Sequence, residues 1–172
     1  GIQTWIALPV EHEEIEPSFH HHPKEALPSW TEGDWELRLI AGSAFDQTSP
    51  VTTYSPMFYV DCHAKGAGGL SLPPALGERA VYCAEGSAKI NDTLIEAGQM
   101  AIGEDDENLM VTTAGSSRLM LLGGEAFAEP RHIWWNFVSS RIERIEQAKQ
   151  EWRDGRFSMV DGDSEFIPLP EK

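Results

Sequence analysis

Residues 80–96 read Ala80-Val81-Tyr82-Cys83-Ala84-Glu85-Gly86-Ser87-Ala88-Lys89-Ile90-Asn91-Asp92-Thr93-Leu94-Ile95-Glu96. Short apolar runs are broken here by Glu-Gly and by Asn-Asp, residues that reverse a chain rather than continue it. The runs are too short for helices and suit strands. The same texture continues on both sides. Upstream stand Leu37-Arg38-Leu39-Ile40-Ala41, ending at Gly42, and Met57-Phe58-Tyr59-Val60-Asp61-Cys62, ending before Gly66, Gly68 and Gly69. Downstream stand Met100-Ala101-Ile102, Leu109-Met110-Val111-Thr112-Thr113 and Arg118-Leu119-Met120-Leu121-Leu122. Strands at intervals of roughly 8–12 residues, with glycine at most corners, predict an all-β antiparallel sandwich or barrel.

Outside this block the pattern changes. Ile2, Thr4, Ile6 and Leu8 alternate with Gln3, Trp5 and Ala7 up to Pro9, which predicts a strand over 1–9. The proline-broken stretch that follows, with Pro17, Pro23 and Pro28, reads as a connector over 10–35. One helix is expected near the C-terminus. Ser140-Arg141-Ile142-Glu143 has the form of a capping box, Ile142, Ile145, Ala148 and Trp152 form one stripe, and Gly155 supplies the stop. The chain opens directly on strand-like sequence, and it reads as beginning part-way through a larger protein.

Composition narrows the function. The chain has 172 residues, 41% of them hydrophobic, enough for one packed domain. Its formal charge of −15 repels phosphate backbones and argues against direct nucleic-acid binding. No apolar run approaches the roughly 18 residues that span a bilayer. Cys62 and Cys83 form no CxxC and read as buried thiols of a reducing, cytoplasmic protein.

Residues that could carry chemistry are few. Of His20, His21 and His22, only His20 and His22 could share a metal in an extended chain, and nothing fixes them there. His63 and His132 stand singly and read as structural. Glu104-Asp105-Asp106-Glu107 and Asp161-Gly162-Asp163-Ser164-Glu165 do not fit a calcium loop and read as charged hairpin tips. No nucleophile elbow, phosphate loop or dinucleotide fingerprint occurs. No catalytic, cofactor-binding or metal residue is assigned in 1–172.

Longer words are more specific. Arg131-His-Ile-Trp-Trp-Asn-Phe-Val-Ser-Ser-Arg-Ile-Glu-Arg-Ile-Glu-Gln-Ala-Lys149, Gly155-Arg-Phe157 and Phe166-Ile-Pro-Leu-Pro170 resemble the C-terminal signature of the pirin family. Gly1-Ile-Gln-Thr-Trp-Ile-Ala-Leu-Pro9 resembles the last strand of a pirin N-terminal domain. Arg38-Leu-Ile-Ala-Gly42, Ser49-Pro-Val-Thr-Thr53 and Leu121-Leu-Gly-Gly-Glu125 resemble the family's inter-domain stretch and second barrel.

The resemblance implies a bicupin, with a cupin-type antiparallel β-barrel (a double-stranded β-helix) and one C-terminal α-helix in this chain. It implies a terminal strand of the first cupin at 1–9, a connector at 10–35, the second barrel at 36–130, and a strand, helix and tail at 131–172 that pack on the first domain. It implies one iron ion, on three histidines and a glutamate, in the N-terminal domain of the intact protein, and none in 1–172. Cupin ligands would fall within Leu72-Pro73-Pro74-Ala75, on the Glu78 strand, and near Glu107-Asn108-Leu109, and no such ligand set stands there. A residual cavity is expected at Tyr82, Cys83 and Met120. The implied activity of the intact chain is quercetin 2,3-dioxygenase, with iron orienting a flavonol enolate and O₂ and a carboxylate ligand as base. The alternative is an iron-dependent redox regulator that a partner protein reads. Expected partners are the upstream cupin or a second copy, through 1–9 and 131–154, and a small aromatic substrate or a protein.

Overall fold

The eight runs between Leu37 and Leu122 that read as strands form strands, in a computed structural model that describes residues 1–104, 106–158, 162 and 165–170. In chain order they are β1 (Ser29–Glu32), β2 (Trp35–Ala44), β3 (Gln47–Thr48), β4 (Met57–Ala64) and β5 (Gly68–Leu72). Then come β6 (Glu78–Glu85), β7 (Ser87–Ile90), β8 (Thr93–Glu96), β9 (Met100–Ile102), β10 (Leu109–Thr113) and β11 (Ser117–Gly124). A short hairpin of β12 (His132–Trp134) and β13 (Phe137–Ser139) precedes the helix α1 (Ile142–Arg153). The chain divides into two compact units, residues 17–126 and residues 1–16 with 127–172.

The 17–126 unit is the barrel. Its larger sheet runs β1-β2-β4-β11-β6-β9, with β3 paired to β2, and its smaller sheet runs β5-β10-β7-β8. Every pairing is antiparallel. Alternation places Leu37 and Leu39 of β2, Val60 and Cys62 of β4, Val81 and Cys83 of β6, and Leu119 and Leu121 of β11 in one buried cluster. Leu70, Leu72, Ile90, Leu109 and Val111 of the smaller sheet complete it. At one edge of the larger sheet, β9 leaves Ile102 77% exposed.

Several sequence expectations need correction here. The connector does not run to residue 35, because β1 pairs with β2 from Ser29↔Arg38 to Glu32↔Trp35. Nor does Gly42 end its strand. It sits within β2 at φ +75°, beside a bulge, where a Cβ would strike the Met57 carbonyl. The segment around Gly66–Gly69 also hides β5, whose glycines lie against β10. The acidic run after β9 is not a hairpin tip but the passage from the larger sheet to β10 of the smaller one. Asp105 in it lies outside the described residues, as do Asp161, Asp163 and Ser164 of the later acidic group.

Leu119 pairs with Cys62 on one side and Cys83 on the other. A whole strand therefore separates the thiols, roughly 9–10 Å, beyond the reach of a disulfide. Both cysteines are free and buried. Burial pushes the Cys62 thiol up to about 12, with Asp61 and Glu32 adding to the effect. An unfolded thiol ionises near roughly 8.5, so the protonated Cys62 favours the fold fully below that pH. The advantage is lost as pH rises from there towards 12, by at most about 1.4 kcal/mol per pH unit. Urea titrations between pH 8 and 11 are expected to show a shallower alkaline decline in Cys62→Ala than in the parent. An equal slope in both would mean that Cys62 is not buried as described.

The second unit joins residues 1–16 to 127–172. Residues 1–9, expected as a strand, pair with no described strand, since a strand needs a neighbouring backbone to hydrogen-bond. Val10–His12 form a single 3-10 turn. The Trp134-Trp135 strand is a hairpin instead, turning at Trp135 with φ +51°. Helix α1 buries Ile145 and Ala148, whereas Ile142 is exposed. Its expected capping box is absent: Arg141 is the cap residue and no side chain caps the first turn. The Ser140 hydroxyl instead donates to Glu13 Oε2 at 2.9 Å, and Glu13 Oε1 accepts from the Ser140 amide at 2.8 Å. At the other end Gly155, at φ +65°, allows its amide to bond to Trp152 O and that of Arg156 to Glu151 O. Trp134, Trp135, Phe137, Trp152, Phe157 and Phe166 then stack into one aromatic cluster, with ring centroids 5.2–6.5 Å apart.

Candidate functional site

The barrel interior is the first place to look, because the expected ligand positions border it. Strand β6 alternates so that Arg79, Val81 and Cys83 are buried while Glu78 is exposed. Arg79 is 1% exposed. Its Nη1 donates to Leu72 O at 3.3 Å and Glu107 O at 2.8 Å, and its Nη2 donates to Glu104 O at 2.6 Å. The two segments that would supply cupin ligands, around residues 72–75 and 107–109, thus both close on a guanidinium. Around it the inner faces carry leucine, valine and cysteine. A fixed cation among main-chain carbonyls and apolar groups does not fit a divalent metal. Among the described residues, no three His, Cys, Asp or Glu side chains gather as a metal set.

Sequence reasoning missed Arg79. The signal was its parity with Val81 and Cys83, which already marks an inward position. The cavity expected at Tyr82, Cys83 and Met120 is not formed. Adjacent strand residues face opposite ways, so Cys83 joins the barrel core while Tyr82 and Met120 join a separate small cluster with Tyr59 and Ala41.

The histidines are dispersed. His20 and His21 are exposed, His22 is partly buried, and His132 lies in β12 of the other unit. His63 lines a cavity on the outer face of the larger sheet.

That cavity is an open groove of about 530 Å³, with Lys24, Glu36, Arg38, Asp61, His63 and Arg118 among its walls. Cross-strand register builds it: Glu36 and Arg118 both pair with His63, and Arg38 pairs with Asp61. Arg118 grips Asp61 with two bonds, Nε to Oδ1 at 3.0 Å and Nη2 to Oδ2 at 2.8 Å. Arg38 Nη1 lies 3.8 Å from the same Oδ2, and its Nε donates to Ser29 Oγ at 3.2 Å. The Asp61 side chain is 12% exposed. A hydrogen bond from Lys65 holds the Glu36 carboxyl below its usual range.

The family model of the pirin C-terminal cupin domain matches residues 59–158, more than half of the chain. The chain belongs to the pirin family. A pirin-like protein from Caulobacter vibrioides is 46% identical over 99% of this chain and 60% of its own length. The crystal structure of quercetin 2,3-dioxygenase from Acinetobacter baumannii superposes with a TM-score of 0.87 at 27% identity. That likeness covers 98% of this chain and 57% of the other. The chain therefore spans less than two thirds of the length of these two proteins. The matched pirin segment includes Asp61, His63, Arg79 and Arg118, whereas Lys24 and Arg38 lie before it.

Proposed function

We propose that residues 1–172 are the C-terminal part of a pirin-type quercetin 2,3-dioxygenase. An iron centre held by residues upstream of this chain would supply the oxygen chemistry on the flavonol, and the barrel described here would be its metal-free structural half. The likeness to the Acinetobacter baumannii enzyme over 98% of the chain supports this activity. The observation that carries the division of labour is Arg79, which fills the region where this barrel would otherwise hold ligands. The metal would supply the meeting of O₂ with the flavonol. Two buried thiols support a reducing, cytoplasmic setting. No helix among the described residues is long and apolar enough to cross a membrane.

Full-length protein loaded with Fe(II) is expected to consume O₂ and quercetin together, while residues 1–172 alone turn over neither. Absence of O₂ uptake by the iron-loaded full-length protein would overturn the enzymatic reading.

The surface of the second unit supports docking onto the upstream cupin. Ile2, Trp5 and Ile6 are about half exposed, and Ile133 and Ile142 more so. Residues 1–172 expressed alone are expected to self-associate in light scattering. A soluble monomer of 19.1 kDa at high concentration would remove this argument.

A further inference from the structure

The groove on the outer face of β2, β4 and β11 concentrates positive charge where the rest of the barrel unit is acidic. Residues 17–126 contain six Lys and Arg against fifteen Asp and Glu. Four of the six, Lys24, Arg38, Lys65 and Arg118, stand in or beside this one groove. Lys65 is matched by Glu36, one guanidinium by Asp61, and Glu85, the register partner of Arg118 on β6, acts on that guanidinium as well, which leaves the groove with one positive charge in excess.

Asp61 has a second effect. As a largely buried carboxylate it fixes Arg118 through two bonds and draws Arg38 towards the same oxygen. Each guanidinium still keeps nitrogens beyond those that Asp61 and Ser29 engage. Two arginines pre-oriented by one carboxylate, with a lysine on an adjoining turn, form the arrangement that recognises a tetrahedral dianion. A network of exposed ion pairs serving stability alone would contribute little and would need no such excess.

We propose that this groove binds the phosphate group of a small phosphomonoester, held by Lys24, Arg38 and Arg118 with His63 as a further donor. The phosphate group complements the groove's excess of positive charge, and about 530 Å³ accommodates a small molecule rather than a polymer. The chain's overall charge of −15 disfavours nucleic acid as the source of the phosphate. This inference is independent of the oxygenase reading.

Isothermal titration of the full-length protein with glycerol 1-phosphate tests it, with inorganic phosphate as competitor and glycerol as control. The expected result is saturable binding at one site per chain, competition by phosphate and no response to glycerol. Lys24→Gln, on an exposed turn, is expected to weaken binding at least tenfold without changing the melting temperature. Asp61→Asn separates a built site from diffuse attraction. It removes a negative charge, so a diffuse cationic patch would bind the ester more tightly, whereas loss of arginine orientation weakens binding. Tighter binding in Asp61→Asn would overturn the proposal, as would unchanged binding in Lys24→Gln or no saturable binding in the parent. If Asp61→Asn fails to fold, the Lys24→Gln titration decides alone.

Discussion

Arg79→Met is expected to lower the unfolding free energy of the barrel by about 3–5 kcal/mol. Methionine keeps the unbranched stem but offers no donor to Leu72 O, Glu104 O and Glu107 O. Arg79 is 1% exposed and its bond to Leu72 O is buried, and each charged hydrogen bond lost costs about 1.5–3 kcal/mol. Removal of a buried cation also relieves its desolvation, which is why the net loss is smaller than three such bonds together. The loss should appear in urea titrations as a lower midpoint with the slope unchanged. Arg79→Lys is expected to recover only part of it, because one ammonium cannot reach all three acceptors in the geometry of a guanidinium. A cost below about 1 kcal/mol for Arg79→Met would show that the carbonyls find other donors.

Glu13→Ala is expected to cost a similar amount, about 3–5 kcal/mol, but within the other unit. Glu13 and Arg131 are each 8% exposed and paired at 2.9 Å. The same carboxylate accepts from the Ser140 amide and from the hydroxyls of Ser139 and Ser140. Its removal leaves the Arg131 cation buried, held only by the carbonyls of Leu8, Glu129 and Pro130 and by the Phe127 ring. It also undoes the entry into α1. Amide exchange over 132–153 should accelerate by about a hundredfold or more, while the barrel strands keep their protection. The tryptophan fluorescence of Trp134, Trp135 and Trp152 should report the same local opening. Glu13→Gln, which still accepts from Ser140, is expected to be milder. Equal acceleration in both units would mean that Glu13 stabilises the whole chain rather than this corner.

The strands were legible because their runs alternate and end in turn residues. Leu37, Leu39, Cys62, Val81 and Leu119 all fall on the face that parity assigns. Short or glycine-rich pieces were not legible. β5 carries Gly68 and Gly69, which look like a turn until β10 is laid beside them. β1 lies beyond Pro28, where proline and low apolar content read as connector. The helix was visible in its stripe and its glycine stop, but its start was misread because the competing acceptor for Ser140 lies 127 residues away in Glu13. Local motifs describe what a side chain can do, and long-range partners decide what it does. For the same reason the groove was invisible: Lys24, Arg38, Asp61 and Arg118 are far apart in sequence and meet only through strand register. The guanidinium that gathers Leu72 O, Glu104 O and Glu107 O could not be read, because those carbonyls meet Arg79 only in the fold.

Strand β9 carries a consequence for how copies of this molecule treat one another. Its outer edge has no neighbour in the sheet, and Met100 and Ile102 lie exposed along it. Such an edge is a template for a second copy. The sequence that leaves it is Glu104-Asp105-Asp106-Glu107. Two edges brought together would press these like charges within about one Debye length, roughly 8 Å at physiological salt. Like-charge repulsion therefore works against pairing at this edge. Such a guard depends on its medium: it is strongest in dilute buffer and weakens as salt screens it.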